Sequence, residues 1–157
     1  MLPTIKQLAE ALRTVPKEQR QMTRRVLLRL GGEQRLRGRA GSGEVELFPG
    51  KAGDLAETGS GTNVQNYFDN LVTHECAHNY HGKFWQDKDA APEWQRFADA
   101  DRQRPSPYAM PGKESVGLED FCEYLVLHNA AVGTTCEKEL KKIYPNRWTL
   151  LARYLAR

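Results

Sequence analysis

Residues 74–78 read His-Glu-Cys-Ala-His, an HExxH motif. Two histidines four residues apart on a helix project from one face, so both imidazoles can grip the same cation. Zinc suits this pair, because neutral imidazole is a good ligand near pH 7. Glu75 follows His74 directly and stands about 60° around the helix from His78. It therefore reaches the rim of such a site and can take a proton from metal-activated water without being a ligand itself. With four His and 13 Glu in 157 residues, chance produces this pattern about once in a hundred such chains. The plainer alternative is two exposed helix histidines that bind nothing.

Two histidines leave a third protein ligand to find. The arrangement HExxHxxGxxH would need glycine at 81 and histidine at 84, where this chain has His81 and Phe84. His81 instead suits the rim of the site or a contact with substrate. A better source is Leu118-Glu-Asp-Phe-Cys-Glu123, where Glu119 and Glu123 share a helical face. One can bind the metal while the other accepts a hydrogen bond from a ligand histidine's second ring nitrogen. By themselves, two glutamates at this spacing are usually a solvated face; beside a metal-binding helix they become ligand candidates. Cys76 and Cys122 fall off the two site faces, where small residues let helices approach closely.

HECAH, followed by Ser-Pro-Tyr-Ala at 106–109 and then EDFCE at 119–123, resembles the gluzincin-type zinc peptidases, distantly including the anthrax-lethal-factor-like group. It is closer still to the metallopeptidase toxin domains of bacterial polymorphic toxins and type VI secretion spike effectors. Those domains often close with a lysine-rich segment and a Pro-Asn-Arg-aromatic stretch, comparable with Glu139-Leu-Lys-Lys-Ile-Tyr-Pro-Asn-Arg-Trp148. The resemblance covers roughly residues 44–150. It implies a zincin-like metallopeptidase domain with zinc on His74, His78 and Glu119. It also implies Glu75 as general base, Glu123 behind the ligands and Tyr108 as an oxyanion donor. Tyr108 lies eleven residues before Glu119, against seven in the family pattern, so the intervening loop is enlarged. The implied biology is an antibacterial effector delivered by a carrier protein, with a cognate immunity protein.

The positioning elements can be read from patterning. Thr4 and Gln7 fit a capping box ahead of an apolar stripe of Ile5, Leu8 and Leu12. A second helix is expected from about Lys17 to Leu30, and a half-buried strand at Glu44–Phe48, whose exposed edge could hold an extended peptide. Val64, Phe68, Val72 and Cys76 step by four and give the metal helix, about Asn63 to His81, one buried stripe. Thr62 and Gln65 supply a capping pattern at its start. Residues 82–117, rich in proline, read as irregular. Helices follow from Leu118 to about Asn129, Glu137 to Ile143 and Arg147 to Ala156. The expected class is α+β, mostly helical, with a small sheet and two site helices in one domain over 1–157. Within it, 1–40 forms a basic helical part and 44–150 the catalytic core.

Composition bounds the alternatives. Hydrophobic residues at 39% and charged residues at 27% describe an ordinary globular chain. No apolar run approaches the ~20 residues of a membrane helix, and the first residues lack a signal-peptide layout. Three cysteines cannot build a disulfide scaffold; Cys76–Cys122 and Cys122–Cys136 are the pairings to weigh against buried thiols. The net charge of +3 conceals a split, because residues 1–40 carry ten Lys/Arg against three acids. No aromatic residue interleaves with those arginines, so a stacking platform for single strands is missing and nucleic acid is not the expected partner. The other functional readings are a regulatory peptidase that cleaves a repressor and a non-catalytic zinc-stapled binding domain.

Overall fold

The computed structural model describes residues 4–29, 38–48, 64–85, 89–107, 109 and 117–156. They form an α+β structure, mostly helical, with one three-stranded sheet. The chain divides into two compact units, Met1–Tyr80 and His81–Arg157.

In the first unit, α1 (Ile5–Thr14) opens with the capping box read from the sequence. Thr4 Oγ1 accepts from the Gln7 amide at 3.2 Å, and the Gln7 side chain accepts from the Thr4 amide at 2.9 Å. After Pro16, helix α2 covers only Lys17–Arg20, and the expected helix to Leu30 gives way to strand β1 (Arg25–Leu28). The run Val26-Leu-Leu is apolar on consecutive positions, a pattern that suits a short strand as well as a helix. Parallel pairing with β3 (Glu44–Leu47) settles it, and Arg25 and Arg29 meet Glu44 and Glu46 across the sheet.

Strand β2 (Gly38–Gly41) pairs antiparallel with β3 through the turn at Ser42–Gly43, giving the order β1-β3-β2. Strand β3 is therefore the central strand, bonded on both sides, and has no exposed edge for a peptide. Its side chains alternate between faces. Val45 and Leu47 enter a core with Ala11, Val15, Phe68, Val72 and Cys76, while Glu46 receives both Arg29 and Arg39 on the other face. Those two guanidiniums hold the Glu46 carboxyl below its usual range. Arg25 and Arg39 of the basic N-terminal part are thus strand residues, and Arg29 directly follows β1; all three are in ion pairs rather than on a helical face.

Helix α3 (Val64–Tyr80) packs on this core through Phe68, Val72 and Cys76. Val64's side chain, the Thr62/Gln65 cap and the loop before it lie outside the described residues. The helix binds the sheet through Asn79. Its Oδ1 accepts from the Gly43 amide at 3.1 Å, and its Nδ2 donates to Thr23 Oγ1 at 3.1 Å and to the Glu44 carbonyl at 3.2 Å.

The second unit begins with a 3-10 turn at His81–Lys83 and contains α4 (Ala90–Ala100), α5 (Leu118–Ala131), α6 (Glu137–Ile143) and α7 (Pro145–Leu155). The stretch expected to be irregular thus holds an eleven-residue helix. Pro92 is no obstacle, because it occupies the first turn, where the missing N–H had no helical partner. Pro145 likewise starts α7 rather than preceding it. The core is aromatic: Trp94 meets Phe121 edge-on at 4.9 Å, and Phe84 stacks on Tyr154 at 5.4 Å. Gly117 precedes α5 with φ of 73°, and a Cβ there would stand 3.1 Å from Trp94 Cδ1.

Candidate metal centre

The C-terminal half of α3 is embedded almost all round. From Val72 to Tyr80, only His74 and His78 escape full burial. Their Nε2 atoms stand 3.1 Å apart, with the rings edge to face at 4.9 Å between centroids. At that separation two neutral imidazoles either share a proton or share a cation. Zn–N bonds of about 2.0–2.1 Å in a tetrahedral site place two ligand nitrogens ~3.3 Å apart. The observed spacing is within a few tenths of an ångström of that value, so the pair fits zinc. The two rings meet because helical spacing of four puts both side chains on one face.

Glu75 packs against the sheet. Its side chain is buried, 4% exposed, and lies against Gly38 at the start of β2. Gly38 is paired with Leu47, a core-facing position, so β2 covers the Glu75 carboxylate from the sheet side. Cys76 beside it belongs to the core, and burial pushes its thiol pKa up, partly offset by a hydrogen bond with Thr23. A neutral buried thiol there packs as a small hydrophobe rather than acting as a ligand.

Glu119 and Glu123 stand on α5, both half-buried, with Cys122 fully buried between them. No cysteine is in a disulfide: Cys76 and Cys122 are buried thiols and Cys136 is an exposed one. Neither pairing weighed against buried thiols is present. His81 falls in the 3-10 turn and meets Trp85 edge-on at 5.3 Å. Tyr108 lies outside the described residues.

Sequence reasoning missed what fixes these helices. Asp120, next to Glu119, accepts from Arg147 Nε at 2.8 Å, from Arg147 Nη2 at 2.6 Å and from Trp94 Nε1 at 2.9 Å. Arg147 Nη1 donates to Asp101 at 3.0 Å, and Asp101 also accepts the Asn146 and Arg147 amides at 2.8 and 3.1 Å. Two buried carboxylates thus face one guanidinium. The positive N-terminus of α7 supplies the remaining compensation. Burial works against the Arg147 charge, but Asp120 and Asp101 outweigh it and raise its pKa above the ordinary value. The Pro-Asn-Arg stretch therefore anchors α5 and α7. Nothing in a sequence pairs an Asp with an Arg 27 residues away. Asn79, one residue beyond HExxH, carries no signal either.

No protein-family model matches the chain, and no curated protein or solved structure matches it.

Proposed function

We propose that the chain is a zinc-dependent peptidase, with His74 and His78 as ligands and Glu75 as general base. The observation that carries this reading is the approach of the two Nε2 atoms to 3.1 Å on a stretch of α3, Val72 to Tyr80, that is otherwise buried. The third ligand proposed is Glu119, with Glu123 orienting a histidine. When bound, zinc supplies Lewis acidity, which activates water and polarises an amide carbonyl.

The remaining steps belong to protein groups. His74 and His78 present unprotonated Nε2 atoms, which requires both rings to be neutral. Glu75 takes the proton from the attacking water and passes it to the leaving amine. Its burial suits that task, because a carboxylate held away from bulk water keeps the geometry proton transfer needs. Tyr108 or His81 is the proposed hydrogen-bond donor to the developing oxyanion. With β3 in the sheet interior, an extended peptide would add to one of the outer strands rather than to Glu44–Phe48.

The biological setting proposed is an antibacterial effector domain, on the strength of the HECAH, EDFCE and Pro-Asn-Arg resemblance. Expression in bacteria, in cytoplasm and periplasm separately, should slow growth with the wild-type chain. Glu75→Gln should retain one zinc per chain yet neither cleave protein nor slow growth at equal protein level. A Glu75→Gln chain that still hydrolyses a verified substrate would overturn the mechanism. Zinc binding without cleavage in any assay would favour the zinc-stapled binding domain. Cleavage without any effect on growth would favour the regulatory peptidase.

A further inference from the structure

Gly38 is the only residue of β2 whose missing side chain is filled by another group: a Cβ there would stand 2.3 Å from Glu75 Oε1, 2.5 Å from Cδ and 2.7 Å from Cγ. Real Cβ atoms essentially never come so close. Gly41, at the far end of the same strand, has nothing within 4 Å of the corresponding point. The backbone gives no other reason for glycine at 38, since the left-handed glycines among the described residues are Gly43, Gly117 and Gly133. All three nearest atoms belong to the Glu75 side chain, not to the backbone of α3.

We propose that Gly38 is a positioning residue for Glu75, a side-chain-free wall that reserves the volume in which the carboxylate is held. This deepens the peptidase reading and rests on Glu75 being its base. With Glu75 only 4% exposed, a methyl group at 38 leaves its carboxylate no room to stay. The crowding reaches Cγ, so rotation of the carboxylate plane alone does not relieve it and the side chain must change rotamer. Displacing a general base by about 1 Å costs on the order of 100-fold in rate.

The test is a double-mutant cycle of Gly38→Ala and Glu75→Ala, read by denaturation midpoint, with Gly41→Ala as a stability control. Gly38→Ala should lower the midpoint in the wild-type background and have little effect once Glu75 is truncated, while Gly41→Ala changes little in either. Gly38→Ala should keep one zinc per chain and KM, and lose about 100-fold in kcat. Equal destabilisation by Gly38→Ala in both backgrounds would overturn the proposal, as would an unchanged kcat. A Gly38→Ala chain that folds only together with Glu75→Ala supports it; one that folds in neither background overturns it. The two readings fail separately. Coupling in stability without zinc-dependent hydrolysis by wild type upholds Gly38 as the wall and rejects the peptidase. An active enzyme without coupling rejects the Gly38 role alone.

Discussion

Arg147 shows how much of this protein rests on single buried side chains that the proposed chemistry does not use. It is 1% exposed and forks onto Asp120 while reaching Asp101. Breaking a buried pair by removing one partner strands the other charge and costs about 3–5 kcal/mol. Arg147→Met should therefore destabilise the protein by roughly that amount in urea unfolding. Arg147→Lys, which keeps the charge but loses the fork, should fall between it and wild type. A Met variant as stable as wild type would mean that the carboxylates are satisfied without the guanidinium. Glu119 and Glu123, flanking Asp120, carry the other residue-scale expectation. Glu119→Ala should weaken zinc binding more than Glu123→Ala, whose loss should be ~10–100-fold if it only orients a histidine. Competition against a chromophoric chelator orders the two, and the reverse order would exchange their roles.

At the scale of elements, the informative departures are β1 and α4. Residues 26–28 carry apolar side chains on consecutive positions, and nothing local separates a strand from a buried helical turn there. Pairing with β3 decides, a contact made across a sequence gap of about twenty residues. For α4, the prolines of 82–117 suggest an irregular chain, yet Pro92 falls in the first turn, a position that tolerates it. The sheet order makes a direct prediction for hydrogen exchange. β3 is bonded on both sides and β2 on one among the described residues, so β3 amides should on average exchange more slowly. Comparable protection along β2 would indicate a further strand paired to its outer side.

For the whole molecule, pH adds a constraint that zinc does not share. Burial lowers the His128 pKa from its ordinary 6.5, opposed by a hydrogen bond with Asn129 and the charge of Glu137. Its ring lies 5.1 Å from that of Trp148. A folded-state pKa below the unfolded one means that the unfolded chain binds more protons in the interval between them. Stability from this group is thus fully present above about pH 6.5 and is lost as pH falls through the lowered value. His128→Phe should flatten the acid limb of the stability curve, measured in metal-free protein so that zinc release from His74 and His78 does not contribute. An unaltered limb would assign the acid loss to other groups. No helix among the described residues is long and apolar enough to cross a membrane.

The parts legible in the sequence are those set by local spacing. The Thr4/Gln7 cap, the stripe of Phe68, Val72 and Cys76, the helix Glu137–Ile143 and the shared face of His74 and His78 all depend on residues within one or two turns. Helical periodicity alone places such groups. What needed the tertiary structure depends on pairs far apart in the chain. The fate of Val26-Leu-Leu, the interior place of β3, the Asp101–Arg147–Asp120 network and the closure of Gly38 on Glu75 are of this kind. Each is a contact whose two halves carry no mark of one another until packing brings them together, because burial and pairing energies act on the folded neighbourhood and not on sequence distance.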